Sequence, residues 1–433
     1  MLSDITNRRG GRLRRPFLGW WMAAIGATTN AIAAGLFGRG LSLYFLPLAR
    51  DLGLSRTTTS LIFGFSALEA GIQGPITGYM IDRWGPRVMM IAGSVLAGVG
   101  FLLLPFTNSF LTFLLVFVGI ISVGMNSGFH SGSSAIVNNW FIRFRGTAFG
   151  IISVGIALGG TVIVPIVSLM LQNWGWRTSA TVSGIVILAI GVPLSYLVRD
   201  TPEKIGQVPD GFQVSGTRQT GRGVAETGYS VRGAMSTFAY WGLAIAICLR
   251  LSASAGVMVH IVPIMVWKGM DEATGGVVIA AMSFSGIVTR LGMGWLGDRW
   301  PKNKLVSLAM MAGAACLIFL AFSPNYLWLM ILFAVNFSVT DGAAGLTWAM
   351  IGDYFGRTSF ATLKGAIITV VSIGTLATPV IAGQVFDITQ SYKWVLIPFA
   401  GLYVVTAVAF LVLRRPDDSS LHQVFGDNVQ EQV

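Results

Sequence analysis

Along the 433 residues, apolar runs alternate with short polar or glycine-rich turns. About twelve of the runs reach the ~18 residues that suffice to cross a bilayer core. In the first half they cover 17–48, 57–80, 88–106, 109–137, 146–171 and 177–198. A polar connector follows, and the second half repeats the pattern at 235–267, 273–296, 304–322, 326–350, 360–386 and 393–413. A backbone crossing lipid must satisfy its own hydrogen bonds, so every run is expected to be a helix. The pattern predicts an all-α, polytopic membrane protein of twelve transmembrane helices in two six-helix pseudo-repeats. Its expected divisions are a basic N-terminus (1–16), an N-terminal bundle (17–198), a connector (199–233), a C-terminal bundle (234–413) and a tail (414–433).

Composition agrees with that pattern. The chain is 54% hydrophobic and only 11% charged, with a mean hydropathy of +0.71, whereas soluble domains carry about 25% charged residues. The net charge of +11 does not signal nucleic acid, because its placement follows topology. Of the 29 lysines and arginines, 21 fall on the side of the N-terminus, 5 on the other side and 3 inside spans. Such a bias predicts cytoplasmic termini and a cytoplasmic connector. The connector's Gly, Ser, Thr, Arg and Glu content predicts a flexible linker. Cys248 and Cys316 sit in apolar runs and read as small buried hydrophobes with no disulfide. The first apolar run is too long for a cleavable signal peptide.

The two halves repeat. Residues 44–88 laid on 260–304 match Pro47 with Pro263, Gly53 with Gly269 and Gly78 with Gly294. Asp82-Arg83-Trp84 then falls on Asp298-Arg299-Trp300. Two halves in the same orientation form the parallel repeat of a rocking transporter. The intramembrane charges are not repeated: Gly74 lies opposite Arg290, Ser285 opposite Glu69 and Tyr44 opposite His260. That asymmetry is where a substrate site is expected.

Gly78-Tyr-Met-Ile-Asp82-Arg83-Trp-Gly85-Pro-Arg87 resembles the turn between helices two and three of the major facilitator superfamily, with a weaker copy at Gly294–Lys304. The gate residues on this reading are Gly78, Asp82, Arg83 and Arg87 with Gly294, Asp298 and Arg299. Trp140-Phe-Ile-Arg143-Phe-Arg145-Gly-Thr-Ala148-Phe-Gly150 and Thr289-Arg290-Leu-Gly-Met293-Gly294 are similar to segments of the monocarboxylate-porter branch and its bacterial relatives. The resemblance implies that Arg290 binds a substrate carboxylate and that Arg39 takes the place of a functional lysine in helix one. Two departures stand out. The branch often has a coupling aspartate one turn before the arginine, where this chain has Gly286, and the acidic residue usual at the start of helix one is absent around Gly19-Trp20.

The residues themselves support an anion. Arg39, Arg250 and Arg290 lie in spans with Glu69 and Asp341, leaving one positive charge if both acids are ionised. A buried arginine is costly and needs a partner or a use, and its planar fork suits a carboxylate. The competing reading pairs each arginine permanently with an acid. Glu69 and Asp341 are proton-carrier candidates, with static salt bridges as the alternative, and His130 and His260 could titrate near neutrality or simply pack. Asn126, Tyr44 and Phe337 are candidate cavity residues.

No zinc spacing, phosphate loop or nucleophile–base set stands out, so no enzyme, metal or cofactor is expected. The expected function is secondary transport of a small organic anion of the lactate or pyruvate type by alternating access, with a proton as candidate co-substrate. The alternatives are a carrier of another solute by exchange or efflux, or a non-transporting sensor. The expected partners are the anion and the lipid bilayer, with no nucleic acid or obligate protein. The expected location is a bacterial cytoplasmic membrane.

Overall fold

The computed structural model describes residues 17–38, 40, 43, 44, 47, 51, 56–211 and 228–416. Within them the chain forms twelve helical spans. In the first half α1 is Gly19–Ile32 continued by a π-helical turn at Ala33–Gly38, α2 is Arg56–Trp84, α3 is Pro86–Leu103 and α4 is Phe110–Trp140. The run Arg145–Leu197 is helical throughout except at Gly175, whose φ of 75° reverses the chain and separates α5 (145–174) from α6 (176–197). In the second half α7 is Phe238–Trp267, α8 Glu272–Gly297, α9 Lys302–Phe322, α10 Leu327–Phe355, α11 Phe360–Thr389 and α12 Lys393–Val412.

The helices turn large apolar side chains outward: Ile72 is 70% exposed, Phe284 74%, Leu308 64% and Val412 65%. Water would not tolerate so continuous an apolar surface, whereas lipid requires it. The chain is a multi-pass integral membrane protein. Small residues let the helices approach closely inside. A Cβ on Gly93 would lie 2.5 Å from Gly128 Cα, and one on Gly124 2.7 Å from the Gly93 carbonyl oxygen.

Two departures from the expected pattern bear on the site. The run 326–350 reads as one continuous helix, but α10 is interrupted after Gly342 and restarts at Ala344, three residues beyond Asp341. The connector, expected to be flexible, is anchored along 199–211. Asp210 accepts backbone N–H bonds from Ile142, Arg143 and Phe144 at 3.1, 2.8 and 3.3 Å, and Glu203 pairs with Arg357 of the second half at 2.8 Å. Composition reports the solubility of this stretch but not these tertiary acceptors. Residues 212–227 lie outside the described residues. Asp210→Ala should cost roughly 1–2 kcal/mol, since three backbone donors lose a charged acceptor at a partly exposed turn. Thermal unfolding of the purified variant measures it.

Candidate transport site

The two halves meet along α2 against α11 and α5 against α8. At both crossings glycine backbones touch. A Cβ on Gly365 would strike the Gly74 carbonyl, and one on Gly294 would lie 2.6 Å from the Gly146 carbonyl oxygen. Next to each crossing an aspartate reaches across to the start of the facing helix. Asp82 accepts from the backbone N–H groups of Ala361 and Thr362 at 3.1 and 2.8 Å and from Thr362 Oγ1 at 2.6 Å. Asp298 does the same with Gly146 N–H at 2.7 Å, Thr147 N–H at 2.9 Å and Thr147 Oγ1. A carboxylate at a helix N-terminus satisfies free donors and meets the positive end of the dipole. The sequence repeat is thus a repeated latch. Arg145 adds a 3.0 Å ion pair to Asp353.

The arginines of the gate motifs take other partners. Arg83 donates to Tyr79 Oη on its own helix at 2.9 Å, and Arg299 to Trp295 O at 3.1 Å. The Arg87 backbone N–H donates to Asp200, while its guanidinium lies over Tyr196. Among the described residues, the hydrogen bonds joining the halves occupy the stretch from these latches to Thr369 Oγ1, which donates to Gly71 O. Gly71 is eleven residues from Asp82, about 16 Å along the helix. The face bearing both latches, hereafter the basic face, is closed.

Latch strength is expected to depend on pH. Burial raises the Asp298 carboxyl above its ordinary value, against the lowering effect of the bonds from Thr147 and Gly146. A proton therefore binds the closed latch better than an opened, hydrated one. Protonation favours closure below the ordinary carboxylate range, and the preference is lost as pH rises through the raised value. Asp298→Asn should flatten this dependence, read as pH-dependent labelling of a cysteine at the mouth of the basic face. Unchanged pH dependence in that variant would refute the assignment.

Above the α5–α8 crossing lies the charge centre of the second half. Arg290 is 8% exposed, and a Cβ on Gly150 would lie 2.7 Å from its backbone carbonyl oxygen. Its Nη2 donates to Asp341 Oδ2 at 3.4 Å, a single long bond instead of a bidentate clamp. Asp341 Oδ1 accepts from Ser254 Oγ at 3.5 Å. A Cβ on Gly286 would stand 2.8 Å from Arg290 Nη1, so the guanidinium fills the space that a side chain at 286 would need. The carboxylate absent from α8 is supplied by α10. One turn before Ser254, Arg250 is 1% exposed; among the described residues its Nε and Nη2 lack hydrogen-bond partners, and Tyr403 Oη is also buried without one. Among the described residues only Arg290 forms an ion pair with Asp341, and Arg250 lies within electrostatic range of the same carboxylate.

The first half contributes polar groups. Asn30, Phe37, Gly38, Asn126, His130 and Ile156 help line a cavity of about 250 Å³. Asn30 Nδ2 donates to Ser133 Oγ at 2.7 Å, and its Oδ1 faces His130 Nδ1 at 3.3 Å. Asn126 Nδ2 reaches Glu69 Oε2 at 3.4 Å, and Ser122 Oγ donates to the same oxygen. Arg39 lies outside the described residues. Lys364, whose sequence position groups it with the charges of the basic face, is 2% exposed. It donates to Ser134 Oγ at 2.5 Å across the halves and lies 5.1 Å from the Trp348 ring centre.

Other candidates fall away from these centres. Phe337 is 0% exposed, stacked 5.3 Å from Phe333 and edge-on to Tyr403, so it belongs to the core of the second half. Tyr44 is 3% exposed and packs in the core of the first half. His260 is tied between Tyr392 Oη and the Pro379 carbonyl, both at 3.0 Å. Ser254, Tyr403, Ser122, Asn30 and Lys364 were not singled out from sequence as site residues. Ser254 follows Arg250 by four positions and Ser122 precedes Asn126 by four, a helical-face signal that was available.

The family model described as Major Facilitator Superfamily matches residues 28–349 and 233–428. Monocarboxylate transporter 6 of Homo sapiens is 22% identical over 414 residues, covering 90% of this chain and 79% of the relative. Monocarboxylate transporter 3 of Gallus gallus is 23% identical over 432 residues, covering 93% and 79%. Among solved structures, the fucose:proton symporter of E. coli superposes with a TM-score of 0.72 at 13% identity, covering 92% of this chain and 99% of that one. That similarity concerns the fold.

Proposed function

Since the chain belongs to the Major Facilitator Superfamily, we propose that it is a secondary transporter of a small organic anion of the monocarboxylate class, working by alternating access. The observation that carries this reading is Arg290: a buried arginine beside the crossing of the halves, held by one 3.4 Å bond to Asp341. An incoming carboxylate takes the guanidinium fork in the bidentate geometry that Asp341 leaves unused. Asp341 stays beside Ser254 with Arg250 and Tyr403 close behind, so its charge is not stranded. The names of the relatives, monocarboxylate transporters, point to the same substrate class.

In the cycle, the closed basic face exposes the site to the opposite side. Rocking then breaks the Asp82 and Asp298 latches and opens the basic face, which is expected from the charge bias to be cytoplasmic. A proton is a candidate co-substrate, and a bacterial cytoplasmic membrane is the expected location. Uptake of labelled lactate and pyruvate into proteoliposomes, competed by a panel of carboxylates, sugars and cations, tests the reading. Saturable uptake displaced by monocarboxylates supports it, whereas displacement only by solutes without a carboxylate overturns it.

A further inference from the structure

Asn126, His130, Ser134 and Asn138 recur at every fourth position of α4 and so share one face. Their contacts fall along one line. Asn126 and His130 line the cavity of the first half, and Ser134 bonds Lys364 of α11. Asn138 Nδ2 donates to Gly356 O of the second half at 3.5 Å. A polar stripe therefore runs from the cavity to the basic face along the seam where the halves meet. Asn138 Oδ1 is buried there and takes no hydrogen bond among the described residues. Apolar side chains would pack this seam at less cost.

Lys364 stands in the middle of the stripe. It follows Thr362, a partner of the Asp82 latch, by two positions and is 2% exposed. An ammonium carries three N–H donors. One goes to Ser134 Oγ, which passes its own hydrogen to His130 O at 2.9 Å. The ammonium also lies over the Trp348 ring. No ion pair among the described residues includes it. The acid of the adjoining latch, Asp82, is taken by the N-terminus of α11. A buried cation without a carboxylate is expensive in a static scaffold. Charges held inside a membrane bundle in this way mark substrate paths.

We propose that Lys364 and the α4 stripe form a second station for the transported carboxylate, on the path between Arg290 and the basic face. Opening this face breaks the Lys364–Ser134 and Asn138–Gly356 bonds, because the ends of each lie on different halves. The freed ammonium and amide donors then line the widened seam. A carboxylate leaving Arg290 meets a point charge there, and one entering from the basic face is collected there first. While the basic face is closed, Ser134 and Trp348 hold the ammonium, so solute from the opposite face meets Arg290 alone. The proposal rests on the anion reading above and adds a sidedness that Arg290 does not produce.

Transport of labelled lactate and pyruvate, measured separately at the two faces in oriented proteoliposomes, tests the proposal. The full-length protein carries Lys364→Cys in a background without Cys248 and Cys316. Its KM at the basic face should rise roughly tenfold, the loss of one hydrogen bond to a charged group, with KM at the opposite face unchanged. Coupling a cationic aminoethyl group to the cysteine through a disulfide restores the basic-face KM, and a neutral ethyl group coupled in the same way does not. A Lys364 that only ties the halves together moves the two KM values in opposite directions, as a population shift does. That result, an unchanged basic-face KM, an equal rise at both faces or equal restoration by both groups overturns the proposal. If Lys364→Cys does not fold, Lys364→Arg against Lys364→Gln makes the same comparison of charge. Absence of carboxylate transport by the unmodified protein overturns the anion reading. Carboxylate transport whose basic-face KM ignores the charge at 364 overturns this proposal alone.

Discussion

Arg290→Gln should weaken carboxylate binding roughly 100- to 1,000-fold and leave the protein folded. A carboxylate on the guanidinium gains two charge-assisted hydrogen bonds, each worth about 1.5–3 kcal/mol, so losing both, less what one bond to the glutamine amide returns, costs ~3–4 kcal/mol of binding. The fold survives because Asp341 keeps Ser254 and has Arg250 behind it. Arg290→Lys keeps the charge but not the fork and should fall between, near tenfold. Asp341→Asn acts in the opposite direction on affinity, since it removes the internal competitor for Arg290. Ligand-dependent thermal stabilisation of the four proteins measures the order. Arg290→Gln binding as tightly as wild type would remove Arg290 from the site.

The second large effect is expected at the glycine crossings. A Cβ on Gly365 collides with the Gly74 carbonyl and approaches Pro75 N to 2.9 Å, and backbone cannot move aside as a side chain can. Overpacking of this kind costs about 1–3 kcal/mol, and the contact exists only while the basic face is closed. Gly365→Ala should therefore shift the population toward the face-open state by roughly 5- to 150-fold. Transport slows, and labelling of a cysteine buried behind the Asp82 latch accelerates. Gly292→Ala is the matched control, since nothing lies within 4 Å of a Cβ there. Equal labelling in the two variants would show that the crossing does not control closure.

These two predictions mark what could and could not be read from one sequence. The Asp82 and Asp298 turns were legible because the chain carries them twice with fixed spacing. Their partners, the starts of α11 and α5, were not, because Asp298 and Gly146 are far apart in the chain and meet only when the halves close. Arg290 and Asp341 were both visible as costly charges. Their pairing was not, since three arginines and two acids allow several matches and only packing chooses. The burial of Lys364 was hidden for a related reason. Four residues past Phe360 it reads as a charge at a membrane edge, yet the start of α11 runs beneath α4 and buries it against Ser134. Phe337 shows the limit of helical periodicity, which identifies a buried face without saying whether it lines a cleft or a core.

The most direct measurement is counterflow of a labelled monocarboxylate in proteoliposomes without an ion gradient, comparing wild type with Arg290→Gln. Exchange needs only binding and rocking, so it is independent of which cation is coupled. The account predicts transient accumulation of label by wild type and none above empty liposomes for Arg290→Gln. Equal accumulation by both would contradict it.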